Sequence, residues 1–504
     1  MAVINSILSL VNFKRLEQIE EFRRRPHKVQ DEQFRELLSL AKNTEYGKRY
    51  HFDEIKDYYT FSTRLPINEY DDIKEDVERV LKGEQNILWP TDIRWFAKSS
   101  GTTSDRSKFI PISKEALEEC HFRSGKDIYA MYIDQNPDTK FFAGKTLALG
   151  GSHKGSNMSE KTFYGDLSAV IIRNLPFWTY FSKVPNQDIA LMEEFEEKIE
   201  RIAHSTINTN VTGMTGVPSW FLVLLRRVME ITGKDDISKV WPNLELFVHG
   251  GVSFSPYREM YKSIISNPDM KYMETYNASE GFFAMQDDPS TNDMLLMLDY
   301  GIYYEFIPME EIDNSSPQAI PLWEVETGKN YAMLITTNTG LWRYKIGDTV
   351  MFTSKRPYKI RVTGRTKHFI NAFGEEVIID NAEQALNKAC EQTGAVIREY
   401  TAAPRYFDKN QKNAAHQWLF EFINKPDDLD KFVRILDETL REINSDYDAK
   451  RYKNMTLGPP EVVVMKDGSF YKWLKSRNKL GGQHKIPRLA NHREYIDSLL
   501  EMVD

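Results

Sequence analysis

Between Thr146 and Tyr276 the chain alternates short apolar runs with segments of helical period, and this alternation constrains the fold most. The runs are Thr146 to Leu149, Leu244 to Val248 ahead of Gly250-Gly251, and Met270 to Tyr276. Short runs that end in Gly or Ser/Asn and are separated by helices point to α/β layers, whose ligands sit beyond the carboxyl ends of the strands. The helical segments include Lys114 to Tyr132, an acidic amphipathic stretch from Ala190 to His204, and an apolar helix starting at Val217. That last helix has Pro218 in its first turn and a stop at Gly233. Upstream, Leu16 to Asn43 reads as two helical pieces split at Pro26.

After Tyr300 the pattern changes to strands, with Tyr303 to Ile307, Tyr331 to Thr337 and Asp348 to Phe352 separated by turn residues, so a β-rich subdomain is predicted. Beyond Gly364-Arg365 the order is helix (Asn381 to Gln392), strand (Val396 to Ala402), strand (Gln417 to Ile423), helix (Leu429 to Asn444), strand (Glu461 to Met465). This is a compact α+β unit of ordinary domain size. The predicted division is 1–365 and 366–504.

At 504 residues the chain exceeds a single core, and ~100–200 residues per domain implies about two to four domains. Hydrophobic residues at 41% and charged residues at 28% fit a soluble globular class. No segment approaches the ~18 apolar residues of a membrane helix. The apolar stretch Ile4 to Val11 is short and has no basic residue before it, so no export signal is read. Two cysteines far apart, Cys120 and Cys390, argue against a disulfide framework and fit a reducing compartment, with the cytoplasm as the default. A net charge of −8 gives no reason to expect nucleic acid. The stretch from Lys450 to Arg493 is nevertheless basic, which fits either an anion-binding surface or a solvated face.

The run Ser99-Ser100-Gly101-Thr102-Thr103-Ser104-Asp105-Arg106-Ser107-Lys108 combines hydroxyls, one glycine and a lysine behind apolar Trp95-Phe96-Ala97. Hydroxyls and close-approaching backbone amides can wrap phosphate oxygens, and a lysine adds a point charge. No Walker pattern is present. Alone the run fits a phosphate loop or a solvated turn. Two further motifs end in a carboxylate at a strand end, Tyr276-Asn277-Ala278-Ser279-Glu280-Gly281 and Tyr344-Lys345-Ile346-Gly347-Asp348. A carboxylate so placed can hold Mg²⁺, accept ribose hydroxyls, or simply close a turn.

In this order the hydroxyl loop, Tyr-x-x-Ser-Glu and Tyr-x-x-Gly-Asp resemble the three signature motifs of the adenylate-forming superfamily. Within it they specifically resemble the auxin-responsive acyl acid amido synthetases named in plants for Gretchen Hagen, in a bacterial-type form. Val248 to Tyr257, Val362 to Phe369 and Gly482-Gln483-His484-Lys485-Ile486-Pro487-Arg488 extend it. The resemblance implies an α/β fold: a large N-terminal adenylation domain of several subdomains with a β-rich part, and a smaller, mobile α+β C-terminal domain carrying a catalytic lysine. It implies an enzyme that uses ATP and Mg²⁺ to adenylate a carboxylic acid and passes the acyl group to an amino acid or other amine, so the partners are small molecules. By resemblance, Ser99, Ser100, Thr102, Thr103 and Lys108 cradle phosphates, Glu280 binds Mg²⁺, Tyr276 lies along the adenine, and Asp348 holds the ribose. Arg365 reaches the ribose or α-phosphate, and Lys485 stabilises charge on the α-phosphate.

Bringing a carboxylate to an α-phosphate joins two anions, so a site rich in positive charge and aligned donors is what this chemistry requires. The chain departs from the family at Asp105 and Arg106, where small residues are usual, and at Lys345, where arginine is usual. Lysine keeps the charge and loses the planar fork. For the acyl pocket the candidates are Arg123, Val170, Pro218, Trp220 and Phe221, with ordinary core packing as the alternative for Trp220 and Phe221. His153 belongs to no triad or zinc pattern. An acyl-CoA synthetase and a non-catalytic nucleotide sensor are the competing functions.

Overall fold

The computed structural model describes residues 2–99, 108–150, 156–157, 161–176, 179, 182–192, 194–251, 254, 257–312, 314, 316–365, 369–407, 413–451, 456–476 and 487–501. The prolines and glycines fall where helix ends need them. Helix Ala2–Arg24 stops before Pro26, which opens Pro26–Ala41 and buries Phe34, Leu37 and Leu38 at helical spacing. Pro218 opens Pro218–Thr232, and Gly233 ends it with φ 64°, a left-handed conformation that favours glycine. The segment from Lys114 is helical, but Ala116–Phe122 is π-wound before Arg123–Gln135 continues as α-helix. The acidic helix begins later than the sequence pattern indicates, at Phe195. Asn186 caps a separate four-residue helix, Gln187–Ala190, by accepting from the Ile189 amide, and the two helices do not merge.

The chain divides into two compact units. The larger holds the described residues of 2–99, 108–251 and 262–365, and is organised on a twelve-stranded sheet. Lys183–Val184, Lys145–Leu149, Val211–Gly216, Leu246–Gly250 and Lys271–Ala278 lie side by side and parallel. From Lys271–Ala278 the sheet continues antiparallel through Gly281–Gln286, Met294–Leu296, Tyr358–Arg365, Tyr344–Lys355, Asn330–Thr337, Ile302–Pro308 and Ile320–Pro321. The β-rich stretch after Tyr300 is therefore the antiparallel half of the same sheet, joined by the Lys271–Ala278 to Gly281–Gln286 hairpin, and not a sheet of its own. Strand patterning reports that a segment is extended and says nothing about its neighbour. A second sheet of four short strands contains Trp95–Ser99 paired antiparallel with Lys108–Ile112.

The smaller unit holds the described residues of 367–504 with Phe254 and residues 257–261. Its sheet orders Val396–Arg405, Ala415–Asn424 and Glu461–Val464, the last pair parallel. Helix Leu429–Ile443 starts on Asp428, whose carboxylate accepts from the Lys431 amide, and buries Phe432, Ile435, Leu436 and Leu440. The helix, strand, strand, helix, strand order read from the sequence is present, with three further helices among the described residues, Ser445–Arg451, Ser469–Ser476 and Glu494–Leu500. The basic tail is partly committed inside this unit. Arg451 donates to buried Asp437, Arg488 pairs with Glu399, and Arg493 pairs with Asp497, so these three are not a free anion-binding face.

One polar contact in the larger unit is fully enclosed. The Arg343 guanidinium, 5% exposed, donates from Nε and Nη2 to Glu305, 1% exposed, at 2.9–3.1 Å. Its Nη1 donates to the carbonyls of Ser62 and Leu65. Burial pushes the Glu305 carboxyl above its ordinary value, while Arg343 pulls it down. Removing one member strands the other charge, which costs about 3–5 kcal/mol. Arg343→Met is accordingly expected to lower the unfolding free energy obtained from urea titration by an amount of that size.

Candidate active site

The parallel strands end together in small residues. Leu149 lies opposite Gly216, Gly216 opposite His249, and Gly250 opposite Thr275. A Cβ on Gly250 would stand 2.6 Å from the Thr275 carbonyl oxygen, so only glycine lets the two strand ends come this close. At this carboxyl edge Lys271–Ala278 turns through Ser279-Glu280 into Gly281–Gln286, with Gly281 opposite Ala278. Glu280 sits in the turn and is 9% exposed.

The second and third motifs meet. Tyr276 Oη donates to Asp348 Oδ2 at 2.8 Å, and both residues are buried. Tyr276 also packs on Phe283, with ring centroids 5.0 Å apart. Asp348 is paired across the sheet with Arg365, for which the description covers the backbone. Tyr276, Glu280, Asp348 and the Arg365 backbone thus come from two hairpins far apart in sequence. The Tyr276 hydroxyl is used on the carboxylate, which fixes the ring's orientation as well as the acid's.

The first motif is described only at its ends. Ser99 and Lys108 are opposite one another at the close of the Trp95–Ser99 and Lys108–Ile112 pair, with Ser99 described by its backbone. Lys108 Nζ lies 5.8 Å over the Tyr70 ring. Ser100, Thr102, Thr103, Asp105, Arg106, His153 and Lys485 lie outside the described residues. The family departure at Lys345 has a partner: its Nζ is 2.6 Å from Glu69 Oε1. Nothing in the sequence signals Glu69, because an acid at a helix start has an ordinary role there.

The acyl-pocket candidates lie on three helices of the larger unit, Arg123–Gln135, Leu167–Asn174 and Pro218–Thr232. Arg123 Nη1 donates to the Asp299 carbonyl at 2.9 Å. Val170 is buried in helix Leu167–Asn174, Pro218 is buried at its helix start, and Trp220 is half-buried. Phe221 is core, packed on Phe247 at 5.1 Å. A surface cavity of 630 Å³ is lined by Trp95, Arg173, Gln187, Asp188 and Leu191. Trp95 is on the strand that ends at Ser99, and Arg173 is on the helix that carries Val170.

Lys198 is a second residue that sequence reading missed, since it lies in a helix patterned as acidic and solvated. Its side chain is buried, and Nζ donates to the Gly150 carbonyl at 2.9 Å, at the carboxyl edge of Lys145–Leu149. Burial pushes its amine down to about 8, against the pull of Asp166. Among the described residues no group of three or more His, Cys, Asp or Glu could hold a metal, and no helix is long and apolar enough to cross a membrane.

Sequence models of three domains match in order: the GH3 family N-terminal domain over residues 15–270, the central domain over 295–365 and the C-terminal domain over 380–494. The chain belongs to the GH3 family. Indole-3-acetic acid-amido synthetase GH3.3 of Arabidopsis thaliana is 23% identical to this GH3 chain, over 97% of it and 94% of the relative. The 4-substituted benzoates-glutamate ligase GH3.12 of the same plant is 22% identical over 91% and 92%. Among solved structures, an AtGH3.15 acyl acid amido synthetase in complex with 2,4-DB superposes with a TM-score of 0.63 at 18% identity, covering 97% of this chain and 96% of the other. A 2-hydroxyisobutyryl-CoA ligase gives 0.56 at 13% identity, covering 95% and 92%. Both likenesses show the mixed α/β fold, with a large N-terminal and a smaller C-terminal domain.

The buried lysine gives this GH3 chain a measurable pH dependence. A lysine lowered on folding disfavours the folded state while it is charged; the penalty is complete below about pH 8 and fades as pH rises toward the ordinary value of 10.5. Urea midpoints of the wild type are therefore expected to rise relative to those of Lys198→Met between about pH 8 and 10.5. Parallel curves across that window would refute the titration.

Proposed function

We propose that this GH3 chain is an ATP-dependent acyl acid amido synthetase, which adenylates a carboxylic acid and transfers the acyl group to an amino acid or another amine. The observation that carries this reading is the meeting of Tyr276 with Asp348 beside Glu280, in a chain matched by all three GH3 domains in order. An acyl carboxylate attacks the α-phosphate and pyrophosphate leaves. The amine nitrogen then attacks the acyl carbon and expels AMP. Asp348, held by the Tyr276 hydroxyl, is preorganised to accept the ribose hydroxyls, because an acid already fixed by a donor does not reorganise on binding. Ser99, Ser100, Thr102, Thr103 and Lys108 grip the β- and γ-phosphates, Arg365 serves the ribose or α-phosphate, and Lys485 offsets charge on the α-phosphate. Arg123, Val170, Pro218 and Trp220 remain the proposed acyl-acid contacts.

Glu280 fits Mg²⁺ in kind: it is a hard oxygen donor at the strand edge, and this ion keeps waters and substrate phosphates as its other ligands. When bound, the ion neutralises phosphate charge. The partners in this reading are small molecules, with no nucleic acid or membrane, and the acidic net charge of −8 supports it. The cytoplasm is the proposed location, and residues 366–504 form the mobile domain that brings Lys485 to the first step.

Acid-dependent exchange of labelled pyrophosphate into ATP tests the reading. Glu280→Ala and Lys485→Ala are each expected to lower exchange about a hundredfold or more, and near-normal exchange in either removes that residue from its role. Mass spectrometry of products formed with amino acids or with coenzyme A separates an amide ligase from an acyl-CoA synthetase. A chain that binds ATP and releases no AMP with any acid tested fits a nucleotide sensor instead.

A further inference from the structure

Three consecutive residues join the first motif to the third. The Asn68 amide donates to the Arg343 carbonyl at 2.9 Å, and the Asn68 carbonyl accepts from the Lys345 amide at 2.8 Å. Asn68 Nδ2 donates to the Trp342 carbonyl at 2.7 Å and to Tyr46 Oη at 3.0 Å. Glu69 holds the Lys345 ammonium at 2.6 Å. Tyr70 then turns the other way: its hydroxyl accepts from the Phe109 amide at 2.9 Å, and its ring lies under the Lys108 ammonium. Tyr70 begins helix Tyr70–Leu81, and the Asp72 carboxylate accepts from the Glu69 amide at 2.7 Å, so the three residues are fixed to a rigid element.

We infer that Glu69 and Tyr70 are positioning residues that set the span between the phosphate end and the nucleoside end of the ATP site. The inference rests on the adenylation reading. Neither side chain is a proposed nucleotide contact. They act through Lys108 and Phe109 on one side and through Lys345, three residues before Asp348, on the other. The ion pair also gives Lys345 a job that needs one point charge and no planar fork, which is why the usual arginine is not required here. A ligand that reaches both ends depends on the span, while one that occupies only the nucleoside end does not.

Titration calorimetry with the full-length protein, using α,β-methylene-ATP and AMP as probes, measures this. Tyr70→Phe removes the acceptor of the Phe109 amide, and Glu69→Gln removes the ion pair. Each is expected to weaken the ATP analogue about five- to tenfold, with AMP changed by less than about twofold. Lys345→Arg, which keeps the pair, is expected to leave the ratio of the two affinities as in the wild type. A ratio unchanged in both Tyr70→Phe and Glu69→Gln overturns the inference, and so does parallel loss of both ligands, the signature of a merely structural role. A wild type that binds both probes keeps the adenylation reading intact whatever the variants do. A wild type that binds neither overturns that reading and this inference together.

Discussion

The enclosed pair of Arg343 and Glu305 is the constraint on which the candidate site depends. Two charges taken out of water are tolerated only when their hydrogen-bonding capacity is met, and here the guanidinium meets it by bonding to Glu305 and to the carbonyls of Ser62 and Leu65. These contacts tie the end of helix Tyr58–Arg64 to the antiparallel half of the sheet. They also hold Arg343 at φ 43°, uncommon for a residue with a side chain. The strand that begins at the next residue carries Lys345 and Asp348, so its starting point is set by a contact outside the motif.

From that fixed start the rest of the site is a matter of reach. Asp348 receives the Tyr276 hydroxyl from the other side of the hairpin array, and Lys345 is met by Glu69 from a helix start. A motif in the chain is therefore less than a site in the fold: Asp348 is oriented by a tyrosine of another motif, and Lys345 by a glutamate that the sequence does not mark.

Much of the architecture was legible because it follows from local chemistry. Pro26, Pro218 and Gly233 stand at helix ends for reasons of missing amides and left-handed φ. Five C-terminal elements could be read in order from hydrophobic period, while the short helices Ser445–Arg451, Ser469–Ser476 and Glu494–Leu500 could not. Sheet membership could not be read, because the same alternating pattern serves a separate subdomain or one half of a larger sheet. Glu69 and Lys198 escaped for a related reason. An acid before a helix and a lysine in an acidic helix are ordinary at the level of sequence, and only burial and a partner distinguish them. In the basic tail the pattern allowed an anion-binding surface or a solvated face, and Arg451 and Arg488 are neither free for an anion nor unpaired, being bound to Asp437 and Glu399.

The two edges of the twelve-stranded sheet are Lys183–Val184 and Ile320–Pro321, each two residues long, and the second contains a residue with no amide hydrogen. A long edge of unpaired amides and carbonyls would template strand addition by another copy, and aggregation usually begins that way. So broad a sheet would be a hazard at high cellular concentration if its margins were long. Margins this short are one of the ways natural sheets blunt their edges, since a two-residue strand offers another copy few backbone groups to pair with.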